Sequence, residues 1–301
     1  MLFVENSGYY AETGIASGES EPKHGVWISP FVGKVNQKTS GSNPGYESEL
    51  YGFSGGWDTK LSEEIIVGLG YSYMHNDLNH NKDKLASGAK VSTNLFSLYG
   101  IFDTHTNWAF QGVFSYGLNR IETHNLRELA LDMVTPAKSK YTARSYNIEV
   151  IGGPRFNVSN LVIYPQAGLR YDGTSSPAHQ ETSTNSEQTL FTSKNSSSKL
   201  EGIAGTQLVM LHHINNMTIK PEISAYVNFE VMRKGRNGYV RINGLSTTLP
   251  IKDTNSKKPW YSLGTGVTLE NTNTEFSTFY EAQIDHGYLG HQLSASARLN
   301  F

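Results

Sequence analysis

The sequence predicts an all-β chain, folded as a closed 12-stranded antiparallel transmembrane β-barrel. Three observations carry that prediction: a C-terminal segment that alternates between apolar and polar residues, connections sorted into tight turns and long polar loops, and aromatic residues gathered near strand ends. In the closing segment Leu293, Ala295, Ala297, Leu299 and Phe301 alternate with Gln292, Ser294, Ser296, Arg298 and Asn300. A period of two sends them to opposite faces of a strand, one oily and one wet. Ending on an aromatic suits a membrane rim, where an apolar ring lies beside polar groups.

Composition narrows the classes first. The 301 residues are 37% hydrophobic and 17% charged, with a net charge of -2, a mean hydropathy of -0.43 and no Cys. No run approaches the roughly 18 to 20 consecutive apolar residues that a membrane helix needs, so a helical membrane protein is excluded. The near-neutral charge gives no support for a nucleic-acid partner. A chain without Cys also suits passage through an oxidising compartment. Residues 1–24 are polar and rich in Gly and Ser, without a basic leader and apolar core, and are read as a linker or passenger remnant ahead of a barrel domain at 25–301. The expectation is a C-terminal piece of a longer precursor or a truncated reading frame.

The strand-like segments follow in order. The first, 25–35, leaves the polar tail. Segments 46–58 and 63–74 are joined by a tight turn at Asp58–Ser62, 92–102 and 107–118 at Asp103–Thr106, and 142–156 and 161–171 at Asn157–Asn160. Segments 199–210 and 217–230 turn at His212–Asn216, 259–269 and 275–285 at Glu270–Thr274, and 291–301 closes the set. Each suffices for the roughly 9 to 11 residues of a tilted membrane strand, and an even number lets the sheet close with both chain ends on one side. Between these hairpins stand long polar stretches at 36–45, 75–91, 119–141, 172–198 and 231–258, with only 286–290 short. Membrane barrels show this asymmetry because one set of turns only reverses the chain while the other set grows into solvent.

Faces separate cleanly in several strands. Ile219, Pro221, Ile223, Ala225, Val227 and Phe229 oppose Lys220, Glu222, Ser224, Tyr226, Asn228 and Glu230. Around 142–156 and 275–285, Tyr146, Ile148, Val150, Phe276, Tyr280 and Ile284 oppose Asn147, Glu149, Glu281 and Asp285. That segregation alone fits a soluble barrel as well; in a membrane barrel the charged face lines the lumen. The faces of the first, fourth and eighth strands are not assigned. Apolar-face aromatics Tyr71, Tyr73, Trp108, Tyr116, Phe156, Tyr171, Phe229, Tyr261 and Phe276 are expected to form girdles at the two membrane interfaces. Pro165 and Pro221 each remove a ladder donor inside a strand, which predicts a bulge or local break at both.

Strands about 4.8 Å apart and tilted about 40° close twelve-fold at a backbone diameter of about 24 Å, leaving a lumen of roughly 12 Å, the width of one α-helix. Its expected lining is Glu149, Arg155, Arg170, Lys220, Glu222, Glu281 and Arg298. These charges either hold a segment threaded through the lumen or pair with one another along the wall.

GVWISPFVGKVNQK at the first strand, GYESELYGFSGGWDTKLSEEIIVGLGYSY across the second and third, STNLFSLYGIF at the fourth, and the close from PWYSLGTGVTLE to Phe301 resemble the C-terminal translocator of autotransporters, the type V secretion barrel. Within that family the chain is most similar to the rickettsial outer membrane protein B and surface cell antigen group, a likeness to which INGLSTTLP adds. The resemblance spans about residues 25–301. It implies a barrel in the bacterial outer membrane that exports or anchors an N-terminal passenger at the cell surface, with a helix of its own passenger junction left in the pore. It also implies partners in the lipid bilayer and in the outer-membrane assembly machinery, which recognises the last strand through Leu293, Ala295, Ala297, Leu299 and Phe301. A monomer is expected. Gly8, Gly14 and Gly18 make residues 1–24 a poor pore helix, at about 1 kcal/mol each relative to Ala. A stand-alone barrel acting as narrow pore or adhesin is the alternative.

No enzyme is expected, and no cofactor. Gly52-Phe53-Ser54-Gly55-Gly56 matches a nucleophile elbow in letters only, since Trp57-Asp58-Thr59 leads into another strand rather than a helix. His212, His213, His286 and His291 lie in or beside turns without metal-like spacing and are read as solvated.

Overall fold

The computed structural model describes residues 23–39, 45–80, 87–104, 106–129, 133–184, 189–235, 237–243, 247–251 and 258–301. The tail up to residue 22, including the three glycines that weaken it as a helix, lies outside them.

Twelve strands form the wall: β1 His24–Gln37, β2 Tyr46–Lys60, β3 Ile65–His80, β4 Gly88–Asp103, β5 Trp108–Leu129, β6 Met133–Pro154, β7 Leu161–Ser176, β8 Asn195–Met210, β9 Met217–Lys234, β10 Trp260–Glu270, β11 Thr274–Asp285 and β12 Tyr288–Asn300. Every neighbour is antiparallel, and β1 pairs with β12 from Gly25↔Asn300 to Gln37↔Tyr288, so the sheet closes on itself. Closure leaves no sheet edge in the wall, as a bilayer requires. The two ends meet where His24 and Phe301 exchange backbone hydrogen bonds of 3.0 and 2.9 Å.

Side chains alternate between the two faces along the strands, apart from a bulge at Val231 where Leu200 pairs with Met232 and Glu201 with Glu230. On β9, Ile223 and Phe229 point outward while Asn228 is buried inside; on β5, Trp108, Phe110, Phe114, Tyr116 and Leu118 face out and Ala109, Val113 and Ser115 face in. The apolar outward run of β5 from Trp108 to Leu118 spans about 25 Å along the barrel axis, given about 3.3 Å per residue and a tilt of about 40°, which matches the apolar belt of a membrane barrel. Outward charges stand above that belt, at the loop end, where Lys34 pairs with Glu47 (3.7 Å), Lys90 with Asp77 (3.4 Å) and Lys140 with Glu122 (2.6 Å).

Two sequence expectations need correction. Residues 119–141 are not a loop: β5 and β6 continue as one hairpin, in register from Asn119↔Ala143 to Leu129↔Met133. Above the belt the outward face meets water, with Arg120, Glu122 and Lys140 on it, so the apolar alternation that marks a membrane strand disappears while the ladder persists. Long connections also carry structure. Thr248–Pro250, Tyr239–Ile242, Leu190–Thr192 and His179–Gln180 form a separate four-stranded sheet at the loop end, which includes both described ends of the INGLSTTLP stretch. The expected breaks do occur at the prolines. The β6–β7 ladder stops at Gly152↔Ala167 and resumes at Phe156↔Ile163, with Pro165 in the gap. The β8–β9 ladder stops at Val209↔Glu222 and resumes at His212↔Ile219, with Pro221 in the gap.

Candidate functional site

The inner surface of the barrel is two-sided. Over β1–β5 it mixes apolar with small polar groups: Val35, Leu50 and Met74 are buried together, with Phe31, Tyr46 and Tyr288 packed against them, while Ser29, Ser48, Thr93, Ser115 and Asn119 are buried on the same strands. Trp27 also points inward, which its neighbours permit because β2 presents Gly56, where a Cβ would lie 2.6 Å from the indole. An entirely ionic lumen is therefore not what forms. The signal was present in the inward glycines of the facing strands, Gly56 and Gly70, which leave room for a large ring.

Over β6–β12 the inner wall is ionic, and its charges pair with one another. Glu149 on β6 accepts from Arg170 on β7 at 2.6 Å, and Arg170 also lies over the Trp260 ring. Lys220 meets Glu270 at 2.9 Å, and Lys199 meets Glu201 at 2.5 Å. Glu222 accepts from Gln207 at 2.7 Å, and Glu281 accepts from Ser262 at 2.7 Å and Gln283 at 3.1 Å. Arg155 follows the end of β6 and bonds Asp103 at 2.5 Å at the turn end, stacked over Tyr164. Arg298 on β12 grips Asp58 through two bonds of 2.5 and 2.8 Å. Of the two arrangements the sequence left open, each basic group expected in the lining has a wall carboxylate as partner. Asp58, Asp103, Lys199, Glu201 and Glu270 escaped sequence reasoning. On β8 the miss has a cause: Ile203 and Val209 point inward beside the charges, so neither face reads as polar.

Between these groups lies a cavity of about 90 Å³ walled by Glu149, Arg170, Gln207, Glu222, Asn228 and Glu281. That is room for several waters, since one needs only about 10 to 15 Å³ of such space.

The outward positions sort into two levels. Trp108, Phe156 and Phe276 stand toward the turn end, and so does Phe301, 58% exposed and 5.8 Å from the His24 ring. Tyr71, Tyr73, Tyr116, Tyr171, Phe229 and Tyr261 stand toward the loop end, where Tyr146, on the apolar face as the sequence reads it, packs on Tyr171 at 5.9 Å. On β12, Leu293, Ala295, Ala297 and Leu299 share the outward face with Phe301. Ser54 lies mid-strand in β2 and bonds Ser72 at 2.8 Å, with no strand-to-helix turn at the Gly52–Gly56 stretch. His212 and His213 are exposed in a short strand after β8, whereas His291 is not a turn residue: it lies on β12 and bonds the Tyr280 hydroxyl at 2.5 Å.

A closed twelve-stranded barrel with an apolar belt outside and ion pairs inside is a narrow outer-membrane barrel. Comparison with known proteins carries this further. The model of the autotransporter β-domain family matches residues 26–283. Outer membrane protein A of Rickettsia conorii is 29% identical over 95% of this chain, and outer membrane protein B of Rickettsia prowazekii is 25% identical over 95%. The chain spans only 14% and 18% of the length of these two relatives. Among solved structures, the translocator domain of the autotransporter NalP from Neisseria meningitidis superposes with a TM-score of 0.69 at 14% identity, covering 93% of this chain and 88% of that one. The β-domain of the Bordetella autotransporter BrkA gives 0.68 at 16% identity, covering 93% and 100%. The chain belongs to the autotransporter β-domain family, and its place is the bacterial outer membrane.

Proposed function

We propose that the barrel is the translocator through which an N-terminal passenger reaches the cell surface, and to which that passenger remains anchored or from which it departs. One observation supports this above the others: His24 enters β1 beside Phe301 at the turn end. Short turns mark the periplasmic side of a membrane barrel, so a chain preceding β1 starts there and has the lumen as its path outward. The two-sided inner wall, poor in charges over β1–β5 and ionic over β6–β12, suits an amphipathic segment within it. Residues 1–24 would then be the linker or passenger remnant.

Leu293, Ala295, Ala297, Leu299 and Phe301 serve as the face presented to the assembly machinery, and the two aromatic levels act as interfacial girdles for a monomeric barrel. The test places a secretion signal and an epitope ahead of Met1 in a Gram-negative host. The epitope becomes accessible to protease added outside intact cells. An epitope left in the periplasm while the barrel is inserted overturns the proposal.

A further inference from the structure

We propose that Arg298 and Asp58 form a clasp that holds the β1–β12 seam shut, so that Arg298 is a seam-positioning residue for barrel closure. The geometry is specific. Arg298 stands on the last strand, yet its partner is on the second, and the guanidinium reaches it by passing over β1 at Gly25, where any Cβ would collide with it. Asp58 also accepts from the Tyr99 hydroxyl of β4 at 2.7 Å, and Tyr99 accepts from the indole of Trp27 on β1 at 2.7 Å. Four strands, β12, β1, β2 and β4, are thereby tied through one carboxylate. Its side chain is 4% exposed, and that of Arg298 is 11% exposed. Pairs such as Glu149–Arg170 join strands that are also consecutive in the chain; the Arg298–Asp58 pair joins residues 240 apart and exists only when the ring is closed.

The backbone explains why a side-chain clasp helps at this seam. His24 exchanges both its backbone bonds with Phe301, so the even-numbered residues of β1 direct their N–H groups to β12. Pro30 is even-numbered and has no N–H. The seam register duly passes from Ile28↔Ala297 to Phe31↔Ser294 with nothing paired between. The ladder is interrupted midway, and the clasp lies on the turn side of the gap, next to the terminal backbone bonds.

The inference concerns closure of the barrel and stands whether or not a passenger is exported. It is tested on the full chain refolded into detergent, reading the temperature at which half of the fast-migrating folded band is lost on unheated gels. Arg298→Gln and Asp58→Asn each lower that temperature by about 10 °C, since each leaves a buried charge without its partner, and the double variant loses less than the sum. The discriminating readout is a disulfide across the seam. Val32 and Leu293 face each other on the outward side, and the chain has no Cys to compete. V32C/L293C, oxidised, restores Arg298→Gln but does not restore Glu149→Gln, whose lost pair joins β6 to β7. The clasp is overturned if both single variants melt like the parent, if the disulfide fails to restore Arg298→Gln, or if it restores both variants equally. Should Arg298→Gln not refold at all, oxidised V32C/L293C/R298Q decides: a folded band supports the clasp, and its absence overturns it.

Discussion

Arginine placed on the outward face of β9 should report depth in the membrane. Ile223 is 55% exposed and faces outward at the middle of the apolar run from Ile219 to Phe229, flanked by Leu208 of β8 and Thr265 of β10. Phe229 is six residues further along, which at about 3.3 Å per residue and a tilt of about 40° puts it roughly 15 Å nearer the loop-end interface. A cation at the bilayer midplane costs about 2 to 4 kcal/mol on a membrane barrel, falling to about 0 to 1 near the interface. Ile223→Arg therefore lowers the folded-to-unfolded ratio by about 30- to 900-fold, and Phe229→Arg by less than about 10-fold. Urea unfolding in lipid vesicles, followed by the fluorescence of the 4 tryptophans, measures both. If both variants fall within about 0.5 kcal/mol of the parent, as for ordinary surface substitutions, the outward face does not lie in lipid.

Other outcomes are expected. Refolded protein runs faster on an unheated gel than after boiling, and identical mobility would count against a closed barrel. Phe301→Asp removes the outward terminal aromatic and abolishes membrane insertion in cells while expression persists; normal insertion would remove the assembly role from that residue. Gly56→Val drives a Cβ to 2.6 Å from both the Leu69 carbonyl and the Trp27 ring, costing about 1 to 3 kcal/mol by overpacking, whereas Gly70→Ala, with its nearest atom at 3.6 Å, leaves the urea midpoint unmoved. At the projecting hairpin, the hydrogen bond and charge of Lys140 hold the Glu122 carboxyl below its ordinary range. A depressed carboxylate favours folding above its unfolded pKa and loses that contribution as pH falls through the folded value. Titration by NMR should show the low value, and Lys140→Gln should return it upward.

Much of the wall was legible because the bilayer enforces a simple rule on one face. Strands such as β9 and β12, apolar at every second residue, could be placed from the sequence, and the tight turn with Asn215 in left-handed backbone fell within the polar cluster that marked it, whereas Asn107, also left-handed, lies one residue past its expected turn. Ladder breaks at Pro165 and Pro221 were legible for a chemical reason, the missing N–H. The hairpin beyond Leu118 was not, because from Asn119 to Asn125 neither face carries an apolar run and pairing holds the strand, as in the 2.7 Å bond between Thr123 and Ser139. Both members of the Glu149–Arg170 pair were legible, whereas for Arg155, Lys220 and Arg298 only the basic side was. Arg298 stood out in its alternating strand, but its partner Asp58 lies 240 residues earlier, and only ring closure brings them together. Inward aromatics were hidden because their room is made by glycines on the neighbouring strand rather than by anything local.

The central claim is that alternate residues of one strand meet hydrocarbon and water. Single cysteines introduced at each position from Ile219 to Glu230, labelled with a fluorophore in vesicles, test it directly. Nitroxide-bearing lipid is expected to quench labels at Ile219, Pro221, Ile223, Ala225, Val227 and Phe229, and aqueous iodide those at Lys220, Glu222, Ser224, Tyr226, Asn228 and Glu230. A reversed pattern, or equal quenching by iodide at every position, would contradict the account.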